Sequence, residues 1–262
     1  MLGALVLVLG ALALAPRVVR LYWEVRSSNP VRRGVMLARD LGCFTCHGER
    51  GAAGIRDPGG MEPGEMEVPS WSGGVWMMYV EDADEIKEFI LDGVSRRRAA
   101  SKSAKEERER AAIHMPSYRD LINGRDLEDL TAAFLVLSGM NGPPPDSPEG
   151  RGYEVARSWG CLSCHGPGAS GGLSNPGSFT GFIPGWYGAD FRDLVRSREE
   201  FDEWVREGEI SRLASNPLAS YFTRRQRVQM PAYDNLAPEQ LDDLWAYGSW
   251  LERTGGGLKL QQ

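Results

Sequence analysis

The stretch GCFTCHGERGAAG, residues 42–54, sets two cysteines three positions apart, a histidine directly after the second, and glycines behind. The same order returns as GCLSCHGPGASGG at residues 160–172. All four cysteines of the 262-residue chain lie in these two stretches, and so do two of its three histidines, His47 and His165. A Cys-x-x-Cys pair taken alone fits half of a zinc site, a redox dithiol, or an anchor for something larger. Zinc does not require a histidine immediately after each second cysteine. A thioredoxin-like dithiol requires a βαβ setting, and sustained period-two alternation is absent from this chain.

The similarity extends well beyond the motif. RGVMLARDLGCFTCHG (33–48) matches RGYEVARSWGCLSCHG (151–166) at nine of sixteen positions, with an offset of 118. Gly54, Pro58 and Gly59 pair with Gly172, Pro176 and Gly177 at that same offset. Farther on, DEIKEFILDG (84–93) parallels EEFDEWVREG (199–208), and Met115-Pro-Ser-Tyr118 parallels Met230-Pro-Ala-Tyr233, both with an offset of 115. An internal repeat of this length predicts two tandem copies of one fold. Each copy is expected to run helix, motif, Gly/Pro-rich loop, helix, methionine loop, helix. Ile86, Phe89 and Ile90 in the first copy, and Phe201, Trp204 and Val205 in the second, recur with helical spacing and read as core. The Pro/Gly stretch between the copies predicts a linker over 142–150.

Cys-x-x-Cys followed at once by His is the pattern of covalent haem attachment. Cys43 and Cys46, and likewise Cys161 and Cys164, would form two thioethers, with His47 and His165 as proximal iron ligands. A second protein ligand on the other face makes an electron-transfer centre, and an open face makes a reactive one. In the second copy the choice is narrow, because His165 and Met230 are the only histidine and methionine from residue 151 onward. Met230 is the expected sixth ligand, since a thioether is soft and suits iron. In the first copy Met115 holds the equivalent place, but His114 stands beside it where the second copy has Gln229. The repeat favours Met115, and His114 stays open as the alternative. Met61, Met66, Met77 and Met78 read more simply as packing residues.

Each copy resembles a class I cytochrome c domain, over about residues 31–140 and 146–256, and the tandem resembles the di-haem class I cytochromes c. The resemblance implies an all-α shell around each of two covalently bound haem c groups, with the first and last helices of each domain crossing. It assigns Gly34 and Gly152 to the crossing, opposite Phe134 and Tyr247. It assigns the carbonyls of Pro58 and Pro176, each eleven residues after its histidine, to the free ring nitrogens of His47 and His165. The departures from the family pattern are the charged run SRRRAASKSAKEERERAA (95–112), expected as a solvated helix or flap, and the aromatic loop SNPGSFTGFIPGWYGADF (174–191), expected to pack over the cofactor.

The first 15 residues, MLGALVLVLGALALA, are uncharged and apolar, and Pro16 makes the Ala-Leu-Ala that precedes it a poor cleavage site. Residues 1–23 are therefore expected to form a transmembrane anchor, with Arg17 and Arg20 snorkelling and Tyr22 and Trp23 at the interface. The arginines that follow the span would keep the body in the cytoplasm by the positive-inside rule. Covalent haem attachment in this family takes place on the opposite side. The expectation that follows the chemistry is a body in the bacterial periplasm, held at the inner membrane. The domain plan is then anchor 1–23, first domain 31–141, linker 142–150, second domain 151–256 and a tail at 257–262.

Net charge is −6 with no basic half, which argues against nucleic-acid binding. The function expected is single-electron transfer through two His/Met haems, as a subunit of a respiratory or photosynthetic membrane complex that exchanges electrons with another redox protein. The competing expectation is a peroxidase-like di-haem enzyme that binds substrate at the first haem. It rests on His114. A sensor would need a signalling module that the chain does not contain.

Overall fold

The computed structural model describes residues 29–60 and 66–255, which are helices, short 3-10 turns and loops, with two isolated β-bridges and no strand. The fold of these residues is all-α. They divide into two compact units, 30–142 and 143–255. Among them no helix is long and apolar enough to cross a membrane. The anchor expected over 1–23 and the tail expected at 257–262 lie outside the described residues.

In the first unit α1 (Pro30–Asp40) is followed by α2 (Cys43–His47), α3 (Ala83–Asp92), α4 (Arg96–Ala100), α5 (Lys102–Arg110) and α6 (Gly124–Ser138). Proline at the first position of α1 carries no N–H to leave orphaned there. α1 buries Val31, Val35 and Ala38, and α6 buries Leu130, Ala133 and Leu137. These two helices pack on one another. Each Val or Leu removed from water contributes about 1.5–3 kcal/mol.

The contact between the helices is close because Gly34 has no side chain: a Cβ there would stand 1.8 Å from the Asp129 carbonyl oxygen and 2.8 Å from Ala133 Cβ. Arg33, next to it, donates to both carboxylate oxygens of Asp129 at 2.7 and 2.6 Å. The side chain across from Gly34 is thus that of Ala133 and not the expected Phe134. Residues opposite a crossing recur every three to four positions. Phe134 is one position off that row and packs instead on Trp71, with ring centroids 5.3 Å apart.

The second unit repeats the plan with α7 (Pro148–Ser158), α8 (Cys161–His165), α9 (Ala189–Leu194), α10 (Arg198–Glu207), α11 (Ser211–Ala214), α12 (Pro217–Arg225) and α13 (Pro238–Thr254). Gly152 faces the Asp243 carbonyl and Tyr247 Cβ, at 1.9 and 2.8 Å from its hypothetical Cβ. Arg151 bonds both carboxylate oxygens of Asp243 at 3.0 and 2.8 Å. α7 begins at Pro148, three residues ahead of the second domain's expected start at 151. Ser147 caps it by accepting from Gly150 N–H at 3.0 Å, and Pro148 opens the helix. A Pro-Glu-Gly run that reads as linker is here a first helical turn.

The last feature that positions the sites is shared. α3 and α10 are capped by Asp82 and Ser197, which accept from Glu85 and Glu200 N–H. They end at Gly93 and Gly208, at φ 74° and 75°. A Cβ on those glycines would meet the Met115 and Met230 carbonyls at 2.2 and 2.5 Å. Glycine therefore serves twice, for the left-handed turn and for the methionine loop that presses on the helix end.

Candidate functional site

Each Cys-x-x-Cys-His motif is a single helical turn entered through a left-handed glycine, Gly42 at φ 79° and Gly160 at φ 78°. The turn sets both cysteines and the histidine close together. The cysteines are not joined as disulfides. Burial pushes the Cys43 and Cys161 thiols up. Tyr118 and Tyr233 stand near these thiols, and the Tyr118 hydroxyl donates to the Leu41 carbonyl at 3.4 Å. Burial beside Cys43 raises Tyr118 in turn, to about 12. The Tyr that ends each Met-Pro-x-Tyr stretch thus returns to the motif that opens its unit.

His47 Nδ1 lies 2.8 Å from the Pro69 carbonyl oxygen, and His165 Nδ1 lies 2.8 Å from that of Pro184. A carbonyl only accepts, so Nδ1 carries the hydrogen and Nε2 keeps its lone pair. Burial lowers the pKa of both imidazoles, opposed in part by that same hydrogen bond. The result at each site is a neutral ring with a fixed tautomer and a free Nε2, the form in which histidine binds a metal.

The carbonyls that orient the rings are therefore not those of Pro58 and Pro176. Both of these prolines are exposed. After His47 the chain turns back so that Ile55 N–H donates to Cys46 O. It then reverses again, so that Val68 N–H donates to Ile55 O. Pro58 stands at the tip of this excursion, and Pro69 is delivered beneath the ring by its return arm. In the second unit Ile183 N–H and Leu173 O close the same path ahead of Pro184, while the Pro176 carbonyl accepts from Arg227 N–H at 3.0 Å. A further signal lay in the sequence: Val-Pro-Ser-Trp (68–71) parallels Ile-Pro-Gly-Trp (183–186) with the offset of 115. The tryptophans of those segments were also missed. Trp71 lies 5.4 Å from the His47 ring centroid, and Trp186 lies 5.2 Å from that of His165.

In the first unit these groups line a cavity of about 1000 Å³, at the upper end of the range for sites of small organic ligands, about 300–1,000 Å³. Cys43, Cys46, His47, Met115 and His114 all border it, with Trp71, Ile86, Ile90, Leu130 and Phe134 as apolar walls. Met115 is half-buried and His114 exposed. Met66 also borders the cavity. Met77 and Met78 are exposed, and Met61 lies outside the described residues. The charged run 95–112 folds as α4 and α5 and forms one side of the cavity. Arg98 there bonds Glu107 at 2.6 Å and lies over the Tyr79 ring at 4.6 Å. In the second unit's aromatic loop Ile183, Tyr187 and Phe191 are buried and Phe179 is exposed.

This donor set fits a covalently attached haem: two reduced thiols, a neutral imidazole with a free nitrogen and a thioether, around an apolar cavity large enough for an organic ring system. Among the described residues no three His, Cys, Asp or Glu side chains converge to hold a bare metal ion, and each cysteine pair stands in its own unit. No protein-family model, curated protein or solved structure matches this chain.

Proposed function

We propose that the protein is a di-haem c-type cytochrome that carries single electrons, each unit being a class I cytochrome c domain. Cys43 and Cys46 would hold one haem and Cys161 and Cys164 the other. His47 with Met115, and His165 with Met230, would be the axial ligand pairs. A bound haem supplies reversible one-electron chemistry at its iron. The observation that carries the reading is the duplicated His–Pro pair. In both units a neutral imidazole beside two reduced thiols is aimed by a carbonyl at 2.8 Å, which prepares Nε2 for iron before any ligand arrives.

The surrounding residues favour electron transfer over turnover. Trp71 and Trp186 lie against the imidazoles of His47 and His165, and Phe134 and Tyr247 pack in turn on those tryptophans. Gly93 and Gly208 hold the methionine loops against a helix end, which restrains a weak ligand. His47 and Met115, and His165 and Met230, would hold the group from both sides, and a bound haem would supply one-electron chemistry there without an open position. The competing reading, a peroxidase-like enzyme with substrate at the first haem, draws on His114 at the cavity border. The half-buried Met115 against the exposed His114 favours the carrier.

Covalent haem attachment of this kind belongs to the outer side of an energy-transducing membrane. We place the body in the bacterial periplasm, tethered at the inner membrane by residues 1–23. Its partners would be subunits of a respiratory or photosynthetic complex and a second redox protein. The test is expression with a c-type maturation system, followed by alkaline pyridine spectra and intact mass. Two haems per chain are expected, and one in Cys43→Ser/Cys46→Ser. Near-infrared magnetic circular dichroism should show two methionine–iron bands. A chain without covalent haem would end the proposal, and an open iron at the first site would favour the enzyme.

A further inference from the structure

The two units differ at a buried polar position that the repeat makes directly comparable. Asp57 and Asn175 stand at the offset of 118, and each is 4% exposed. Each accepts a hydrogen bond from the backbone just ahead of the methionine. Ile113 N–H donates to Asp57 Oδ2 at 2.9 Å, and Val228 N–H donates to Asn175 Oδ1 at 2.9 Å. The rest of each side chain then does what its chemistry allows. Asn175 Nδ2 donates to the Val228 carbonyl at 3.0 Å. Asp57 has no donor when ionised, and its Oδ1 accepts twice more, from Ala112 N–H at 2.9 Å and Gly59 N–H at 2.7 Å.

Three backbone N–H groups on one carboxylate are the arrangement that stabilises an anion. Burial works to raise the Asp57 carboxyl, but these donors, with His114 nearby, more than offset it and hold it below its ordinary range. Asp57 also borders the cavity that brings His47 and Met115 together. Asn175 keeps the equivalent loop in place with a neutral amide.

We propose that Asp57 is a positioning residue with a second role: it clamps the loop ahead of Met115, and its fixed negative charge lowers the reduction potential of the first centre. The inference rests on the reading of each unit as a haem domain. A negative charge beside a centre disfavours the added electron, so the oxidised state is favoured there. One electron is exchanged, no bond forms or breaks, and no proton is required. The second unit carries the same clamp without the charge. The Asp57 carboxylate is thus one electrostatic difference between two sites built on one plan.

Reciprocal exchange changes the charge and keeps one acceptor oxygen for the loop, although Asp57→Asn gives up one of the two accepting oxygens and Asn175→Asp gives up the donor to the Val228 carbonyl. In the full-length di-haem protein, Asp57→Asn should raise one of the two reduction waves. The expected change is about tenfold in the oxidised-to-reduced ratio at fixed ambient potential, about 59 mV for one electron. The other wave should stay in place. Asn175→Asp should lower that other wave in the same measure. Both variants should keep two methionine–iron bands and melt below the parent, but by less than Asp57→Ala, which removes every acceptor for the loop. Two haems with both waves moved less than twofold would overturn the proposal while leaving the cytochrome reading intact. A moved wave accompanied by loss of a methionine–iron band would also overturn it, since ligand loss would then be the cause. A parent chain without covalent haem would overturn both readings, and the pyridine spectrum shows this before any titration.

Discussion

Gly34→Ala tests the helix crossing, because local and tertiary physics predict opposite signs. Within α1 the exchange gains intrinsic helix propensity, about 1 kcal/mol. Across the crossing the new methyl would stand 1.8 Å from the Asp129 carbonyl oxygen, 2.5 Å from its carbon and 2.8 Å from Ala133 Cβ. Restoring an ordinary contact of 3.4 Å requires the helices to part by about 1.6 Å at that point. A gap of even 0.5–1 Å forfeits roughly a quarter to a half of each dispersion contact nearby. Both neighbours are parts of a helix, so neither gives way as a flexible side chain would.

The expected net loss is about 3 kcal/mol or more. At about 4–8 °C per kcal/mol this lowers the first unit's midpoint by roughly 12 °C or more. Differential scanning calorimetry of the full chain reads it, with the second unit as internal reference. Gly124→Ala is the control: it lies at the start of α6 with nothing within 4 Å of its Cβ, so it should be neutral or slightly stabilising. If Gly34→Ala raised the midpoint as Gly124→Ala does, the close crossing would be refuted.

Arg33→Met should cost about 2–3 kcal/mol in urea unfolding, because it leaves the Asp129 carboxylate buried at 7% exposure without its partner. The equivalent Arg151→Met should cost about 1 kcal/mol or less, since Arg151 is 54% exposed. Equal losses would show that burial is not what separates these two ion pairs. Met115→Ala should remove one methionine–iron band and His114→Ala neither, with the reverse result assigning the ligand to His114. Glu200 is held at about 2 by the Arg212 guanidinium, with bonds of 2.6 and 3.0 Å. A depressed carboxylate contributes stability that is present above its unfolded pKa and lost as pH falls toward the folded value. The second unit should therefore lose stability between about pH 4.5 and 2, and Glu200→Gln should flatten that stretch of the acid profile; an unchanged profile would refute the pairing.

Sequence alone determined whatever depends on spacing along the chain. A helical turn joins residues three and four apart, so Cys43, Cys46 and His47 are neighbours whatever surrounds them. Two copies at offsets of 118 and then 115 share one helical plan, which made Met115 and Met230 legible as a pair and pointed to an all-α fold. Glycine at 34 and 152 announced a close approach, but its partner depended on helical phase, and Ala133 holds the place for which Phe134 was expected. Tertiary structure alone decided which carbonyl meets each imidazole. Every residue carries the same carbonyl, so no side-chain pattern marks the one at Pro69 or Pro184; the loop must first fold back on Ile55 or Leu173. The same holds for Asp57. One acidic residue among 36 is unremarkable in the sequence, and only the return of the chain at Ala112 and Ile113 surrounds it with N–H groups and makes its charge a buried one.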